Sequence, residues 1–132
     1  MRKVYALAIT LLITSCGTAP LGYRLDADAT PEEQEMVEHV LDCFTECGLP
    51  DPSCPINLCR ADEPCQEIIE NCGAIHLRGG KCMEIFIDTS RERCTDPART
   101  LTHELLHALG FMHGPEMYSV QQEILALYRH TN

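Results

Sequence analysis

Residues 103–113 read HELLHALGFMH, from His103 to His113, and the rest of the chain is best understood outward from this stretch. His103 and His107 stand four residues apart, which on an α-helix puts both imidazoles on one face, a little over one turn along. Both then reach a single ion at about 2.0–2.1 Å, the zinc to nitrogen distance. Gly110 ends the helix, because glycine accepts a left-handed backbone without strain, and the chain turns back to bring His113 up as a third ligand. Three histidines leave a fourth position open, as a catalytic rather than a structural zinc site requires. Glu104 directly follows the first ligand and stands where a general base would take a proton from water. Three histidines, one glutamate and one glycine at fixed places in such a window arise by chance on the order of 4 times in 100,000 in a chain this long, so coincidence is a weak rival.

The helix carrying this stretch starts at Thr95-Asp96-Pro97, with Asp96 as cap and Pro97 at the first helical position, and runs through Leu101, Leu105, Leu106 and Leu109. Upstream, Ala74 to Leu77 and Met83 to Ile87 flank Arg78-Gly79-Gly80-Lys81, which predicts a β-hairpin. Thr30-Pro31-Glu32-Glu33 has a capping-box pattern, and Met36, Val37, Val40, Leu41 and Phe44 follow at helical spacing up to Gly48. Prolines and cysteines crowd Pro50 to Asp62, which reads as a cross-linked loop, and Pro64 to Asn71 reads as a short helix closed by Gly73. A last helix is expected from near Ser119, carrying Ile124, Leu125, Leu127 and Tyr128.

Met1-Arg2-Lys3 followed by the apolar run Val4 to Ile13 has the layout of a cleaved secretory signal, too short for a permanent membrane span of about 20 residues. Loss of residues 1–15 takes the balance from 10 basic and 20 acidic residues to 8 and 20. A surface of that sign repels phosphate backbones, so no nucleic acid is expected as a partner. Beyond Cys16 there are eight cysteines: Cys43, Cys47, Cys54, Cys59, Cys65, Cys72, Cys82 and Cys94. An even number in a small secreted chain predicts up to four disulfides, of a connectivity that spacing alone leaves open. Zinc ligation by these cysteines is the rival reading, disfavoured because no two CxxC pairs occur.

H-E-x-x-H-x-x-G-x-x-H is the metzincin motif, and residues 103–113 resemble that clan of zinc endopeptidases at every fixed position. Met117-Tyr118 after Gly114-Pro115 resembles the MY pair of the matrixin branch, which implies a methionine turn with Met117 as an apolar base under the ligands. The likeness extends over residues 83–130 and implies that the strand Met83 to Ile87 lies along the cleft and pairs with extended substrate. Cys47-Gly48-Leu49-Pro50-Asp51 resembles the matrixin cysteine switch, but Glu46 stands where that family has arginine, and Cys47 is read as a disulfide partner. Leu12-Ile13-Thr14-Ser15-Cys16 resembles a bacterial lipoprotein signal, which implies a lipid on Cys16, an outer-membrane or cell-surface address and attachment to a membrane through the N-terminal lipid.

The expected molecule is thus a small, disulfide-rich α+β domain at residues 31–132, behind a signal at 1–15 and a lipidated tether at 16–30. It is expected to be a monomer that hydrolyses extracytoplasmic protein or peptide substrates with Zn2+ as cofactor. A lipid-anchored binding module in which zinc only stabilises the fold is the competing reading, and it has no use for Glu104.

Overall fold

The computed structural model describes residues 24–25, 28–60, 62–68, 71–90 and 94–131. The signal, Cys16 and most of the tether lie outside the described residues. A two-residue strand, β1 (Arg24–Leu25), falls within the expected tether and pairs in parallel with β2 (Pro55–Cys59). Helix α1 (Pro31–Glu46) begins as the capping box predicts: Thr30 Oγ1 accepts from the Glu33 amide at 3.1 Å, and the Glu33 carboxylate accepts from the Thr30 amide at 2.8 Å.

The hairpin is β3 (Gly73–Arg78) and β4 (Lys81–Asp88), and the sheet order is β1-β2-β4-β3. β2 corrects the expected loop. Its Ile56 and Leu58 point into the core at a period of two, and Pro55 sits at the first strand position, where its missing N–H is tolerated. β2 pairs in parallel with β4, matching Ile56 with Ile85 and Leu58 with Ile87, so β4 lies inside the sheet and its second half, from Ile85, has both edges used. Extended substrate cannot add along Ile85–Ile87 as expected, because both sides of that stretch are paired, and among the described residues the edge strands are β3 and the two-residue β1.

One face of the sheet carries the main core, in which Val37, Val40 and Phe44 of α1 meet Ile56, Ile85 and Ile87. Helices α2 (Pro97–Ala108) and α3 (Pro115–Thr131) complete it with Leu101, Leu105, Leu106, Met117 and Ile124. On the opposite face Phe86 packs with Ile68 and Cys59. The expected helix over Pro64 to Asn71 does not form among the described residues. A Cys59–Cys65 disulfide and a backbone bridge between Arg60 and Glu63 hold that segment as a tight loop, which lays Ile68 over the sheet.

Two further disulfides, Cys54–Cys82 and Cys72–Cys94, close separations of 28 and 22 residues. Each removes enough freedom from the unfolded chain to stabilise by about 3–4 kcal/mol on the chain-entropy model. Three bridges, not four, form among the described cysteines. Cys43 lies on the core stripe of α1 and Cys47 caps the same helix, so both stay thiols, and burial pushes the Cys43 thiol above its ordinary value. Three disulfides fit an oxidising, extracytoplasmic environment, and no described helix is long and apolar enough to cross a membrane.

Glu33 joins three elements. Besides Thr30, its carboxylate accepts from Arg60 Nη2 at 2.6 Å, Arg60 Nε at 3.2 Å and Thr89 Oγ1 at 2.6 Å, tying the start of α1 to the ends of β2 and β4. Burial alone would raise its pKa, but the hydrogen bonds from Arg60, Thr89 and the Thr30 amide, with the Arg60 charge, hold it at about 2. A depressed carboxylate stabilises the fold above its ordinary value of 4.5, and that contribution, about 3 kcal/mol, is lost as pH falls towards about 2. Thermal unfolding followed by circular dichroism should therefore show the melting temperature rising with pH through this window. Glu33→Gln should flatten that slope and melt lower at neutral pH; an unchanged slope would remove Glu33 from this role.

Candidate metal centre

The rotation of α2 is set by its buried side. Asp96 accepts from the Arg99 amide at 3.2 Å and Pro97 opens the helix, after which Ala98, Leu101, Leu105 and Leu106 enter the core. His103 and His107 are left on the outward face, where they line a groove of about 670 Å³ between α2 and the Gly73–Ile75 end of β3. A cavity of about 730 Å³ beside Glu33 and Arg60 contains none of these groups.

His113 arrives by way of the helix end. The Gly110 amide bonds to the His107 carbonyl at 2.9 Å and the Phe111 amide to the Leu106 carbonyl at 3.0 Å, the paired bonds of a Schellman cap, with Gly110 at φ 99°. The reversal brings His113 Nε2 to 3.1 Å from His103 Nε2 and 3.1 Å from His107 Nε2. It also aims the Phe111 carbonyl at His107 Nδ1, 2.9 Å away, while Gln121 Oε1 of α3 stands 2.9 Å from His103 Nδ1.

These partners fix the tautomers. A carbonyl oxygen only accepts, so Nδ1 of His103 and of His107 carries the hydrogen and each Nε2 presents a lone pair. The Nε2 atoms of His103 and His107 both face Nε2 of His113, an arrangement that a cation can satisfy at all three. Three nitrogens in tetrahedral positions at about 2.0–2.1 Å from an ion stand about 3.3 Å apart; His113 Nε2 is 3.1 Å from each of the other two, and all three ligand atoms lie within 4.8 Å of one another. The three histidines could thus hold a metal ion, and they are the one such group among the described residues.

Glu104 projects from the same helix into the same groove, yet its oxygens are not among the clustered ligand atoms. It is 9 % exposed, and among the described residues its carboxylate has no hydrogen-bond or ion-pair partner. Burial pushes its pKa up, opposed by the His107 imidazole. Met117 is fully buried, but in the first turn of α3 rather than in an open methionine turn. Pro115 fits the first helical position, so α3 starts four residues before the expected Ser119 and absorbs the short spacer after His113.

The remaining histidines lie elsewhere: His39 bonds Thr131 Oγ1 at 2.7 Å and stacks near Tyr128, exposed His76 pairs with Glu84 at 3.5 Å, and His130 ends α3. Three residues have a part in the site that the sequence reading does not give them. Gln121 is one, and its signal is an amide in the otherwise apolar buried stripe Met117, Ile124, Leu125. Tyr118 is another, its ring 6.4 Å from that of His113 and nearly parallel. The third is Gly73, where a Cβ would come within 2.5 Å of Thr100 Cγ2, 3.2 Å of the Phe86 carbonyl and 3.3 Å of Glu104 Cγ. Only a residue without a side chain lets α2 lie this close to the sheet.

Gln121→Leu leaves His103 Nδ1 without its acceptor, and titration calorimetry with a divalent transition metal should show affinity weakened about 10–100-fold. An unchanged affinity would mean that the helix alone orients His103. Gly73→Ala should force α2 outward and cost about 1–3 kcal/mol in denaturant unfolding; an unchanged unfolding midpoint would mean that Thr100 turns aside and the helix stays in place. Comparisons with protein families, with curated proteins and with solved structures find nothing that matches this chain.

Proposed function

We propose that the chain is a zinc-dependent metalloendopeptidase of metzincin type, acting on extracytoplasmic proteins or peptides from a lipid anchor at Cys16. The observation that carries this reading is Glu104: a buried carboxylate without a hydrogen-bond or ion-pair partner among the described residues, beside three imidazoles whose Nε2 atoms converge. Structural metal sites need no such base, and a buried carboxylate without a partner lowers stability, a cost that a purely structural site has no reason to carry.

Zinc, when held by His103, His107 and His113, supplies Lewis acidity that polarises a peptide carbonyl and makes a nearby water more acidic. The chain's own groups do the rest. Glu104 takes a proton from the attacking water, holds it within the groove and gives it to the departing amine, so the carboxylate is regenerated at each turnover. Gln121 and the Phe111 carbonyl keep His103 and His107 in the tautomer that leaves Nε2 free. The free edge of β3 borders the groove and offers backbone groups to an extended chain.

Zinc content and cleavage of an unstructured protein such as casein, measured on the oxidised chain and on Glu104→Ala, test this. The parent should cut. The variant should retain one zinc per chain and lose activity about 10²–10⁴-fold, the usual weight of a general base. If both bind zinc and neither cuts any of a broad panel of unstructured substrates, the peptidase reading fails and a zinc-stabilised binding module takes its place.

A further inference from the structure

Among the described residues, the groove that holds the histidine cluster has one lysine or arginine on its wall, Arg99. Arg99 stands four and eight residues before His103 and His107, so it lies on the same outward stripe of α2 as the two ligands. Its side chain is exposed, and among the described residues it has no hydrogen-bond or ion-pair partner. Asp96, three residues before it at the helix cap, is already engaged: its carboxylate accepts from Arg129 at 3.3 Å. Glu104 is the one acidic residue among the described residues of the wall, and it is buried and assigned to the proton. A guanidinium with no internal anion among the described residues, facing a groove open to an extended chain, is suited to a carboxylate of that chain, which it can hold through two parallel N–H donors.

We infer that Arg99 selects substrates with Asp or Glu close to the bond that is cut. This rests on the peptidase reading above. The distance follows from the helix: from Arg99 to the level midway between His103 and His107 is about 9 Å along the axis, which an extended chain covers in about three residues. Backbone pairing along β3 holds any extended sequence alike, so side-chain choice falls to the charge on the wall. The chain's formal net charge of −10 repels acidic peptides at long range, but salt screens that beyond about 8 Å, and contact with Arg99 acts inside that distance.

The test uses quenched-fluorescent peptides of one sequence, with Glu, Gln or Lys scanned over three positions on each side of the cleaved bond. Cleavage is measured as kcat/KM and binding by competition, for the parent, Arg99→Gln and Arg99→Glu, with zinc content and circular dichroism as controls on the fold. The parent should favour Glu over Gln by about tenfold at one or two positions, Arg99→Gln should lose the preference, and Arg99→Glu should turn it towards Lys. Equal ranking of Glu and Gln by the parent, or a Glu preference that survives in Arg99→Glu, overturns the inference. Charge-selective binding that follows residue 99 without any cleavage supports Arg99 and overturns the peptidase. Cleavage indifferent to charge does the reverse, and neither binding nor cleavage overturns both.

Discussion

Leu101, Leu105 and Leu106 are each at most 1 % exposed, and their burial against α1, α3 and the sheet fixes the rotation of α2 about its own axis. On a helix a residue's direction follows from its neighbours', so once those leucines are inside, His103, Glu104 and His107 have no freedom left except their own rotamers. Each fully buried leucine is worth about 1.5–3 kcal/mol, more than any single polar contact in the groove, and so the apolar face decides where the polar face looks. The polar contacts then act on what remains, turning two rings until their Nδ1 atoms meet an amide oxygen and a backbone carbonyl.

A core this small needs help. The main cluster draws on all three helices and two strands, and the cross-links fall where packing alone would be thin. Cys72–Cys94 fastens the start of β3 to the segment leading into α2, the two walls of the groove, and Cys54–Cys82 fastens the approach of β2 to β4. On the far side Glu33 draws α1, β2 and β4 together through charged hydrogen bonds. Rigidity is therefore supplied from both ends of the sheet, and the groove opens between members that covalent and ionic links hold in register.

Much of this was legible in the sequence, and the gaps have physical causes. Capped helices with a clear apolar period, α1 and α2, and the two-glycine hairpin were readable because local chemistry and burial agree there. β2 was hidden because proline and cysteine dominate Pro55-Ile56-Asn57-Leu58-Cys59, and it exists through pairing with β4, a contact that local pattern does not encode. The pairing of the cysteines was equally out of reach. Cys43 looks like a bridge partner by count, while its place on the α1 stripe makes it a core residue. The three histidines and Glu104 stood out because their spacing is helical and their chemistry unusual. Gln121 and Gly73 did not, since each matters through an element far away in the chain, Gln121 of α3 through its bond to His103 and Gly73 through α2 lying over β3.

The cap that ends α2 has two jobs at once, because the same reversal closes the helix and delivers both the Phe111 carbonyl and His113. That leaves the stretch from His107 to His113 with no slack in length. One added residue in the last turn would swing everything after it by about 100° around the helix axis and carry it about 1.5 Å further along. The hairpin turn at Gly79-Gly80 has open space around it and no such obligation. Lineages of this protein are thus free to lengthen or shorten at the tip of the sheet, while the spacing between these histidines should hold constant even where the residues between them drift.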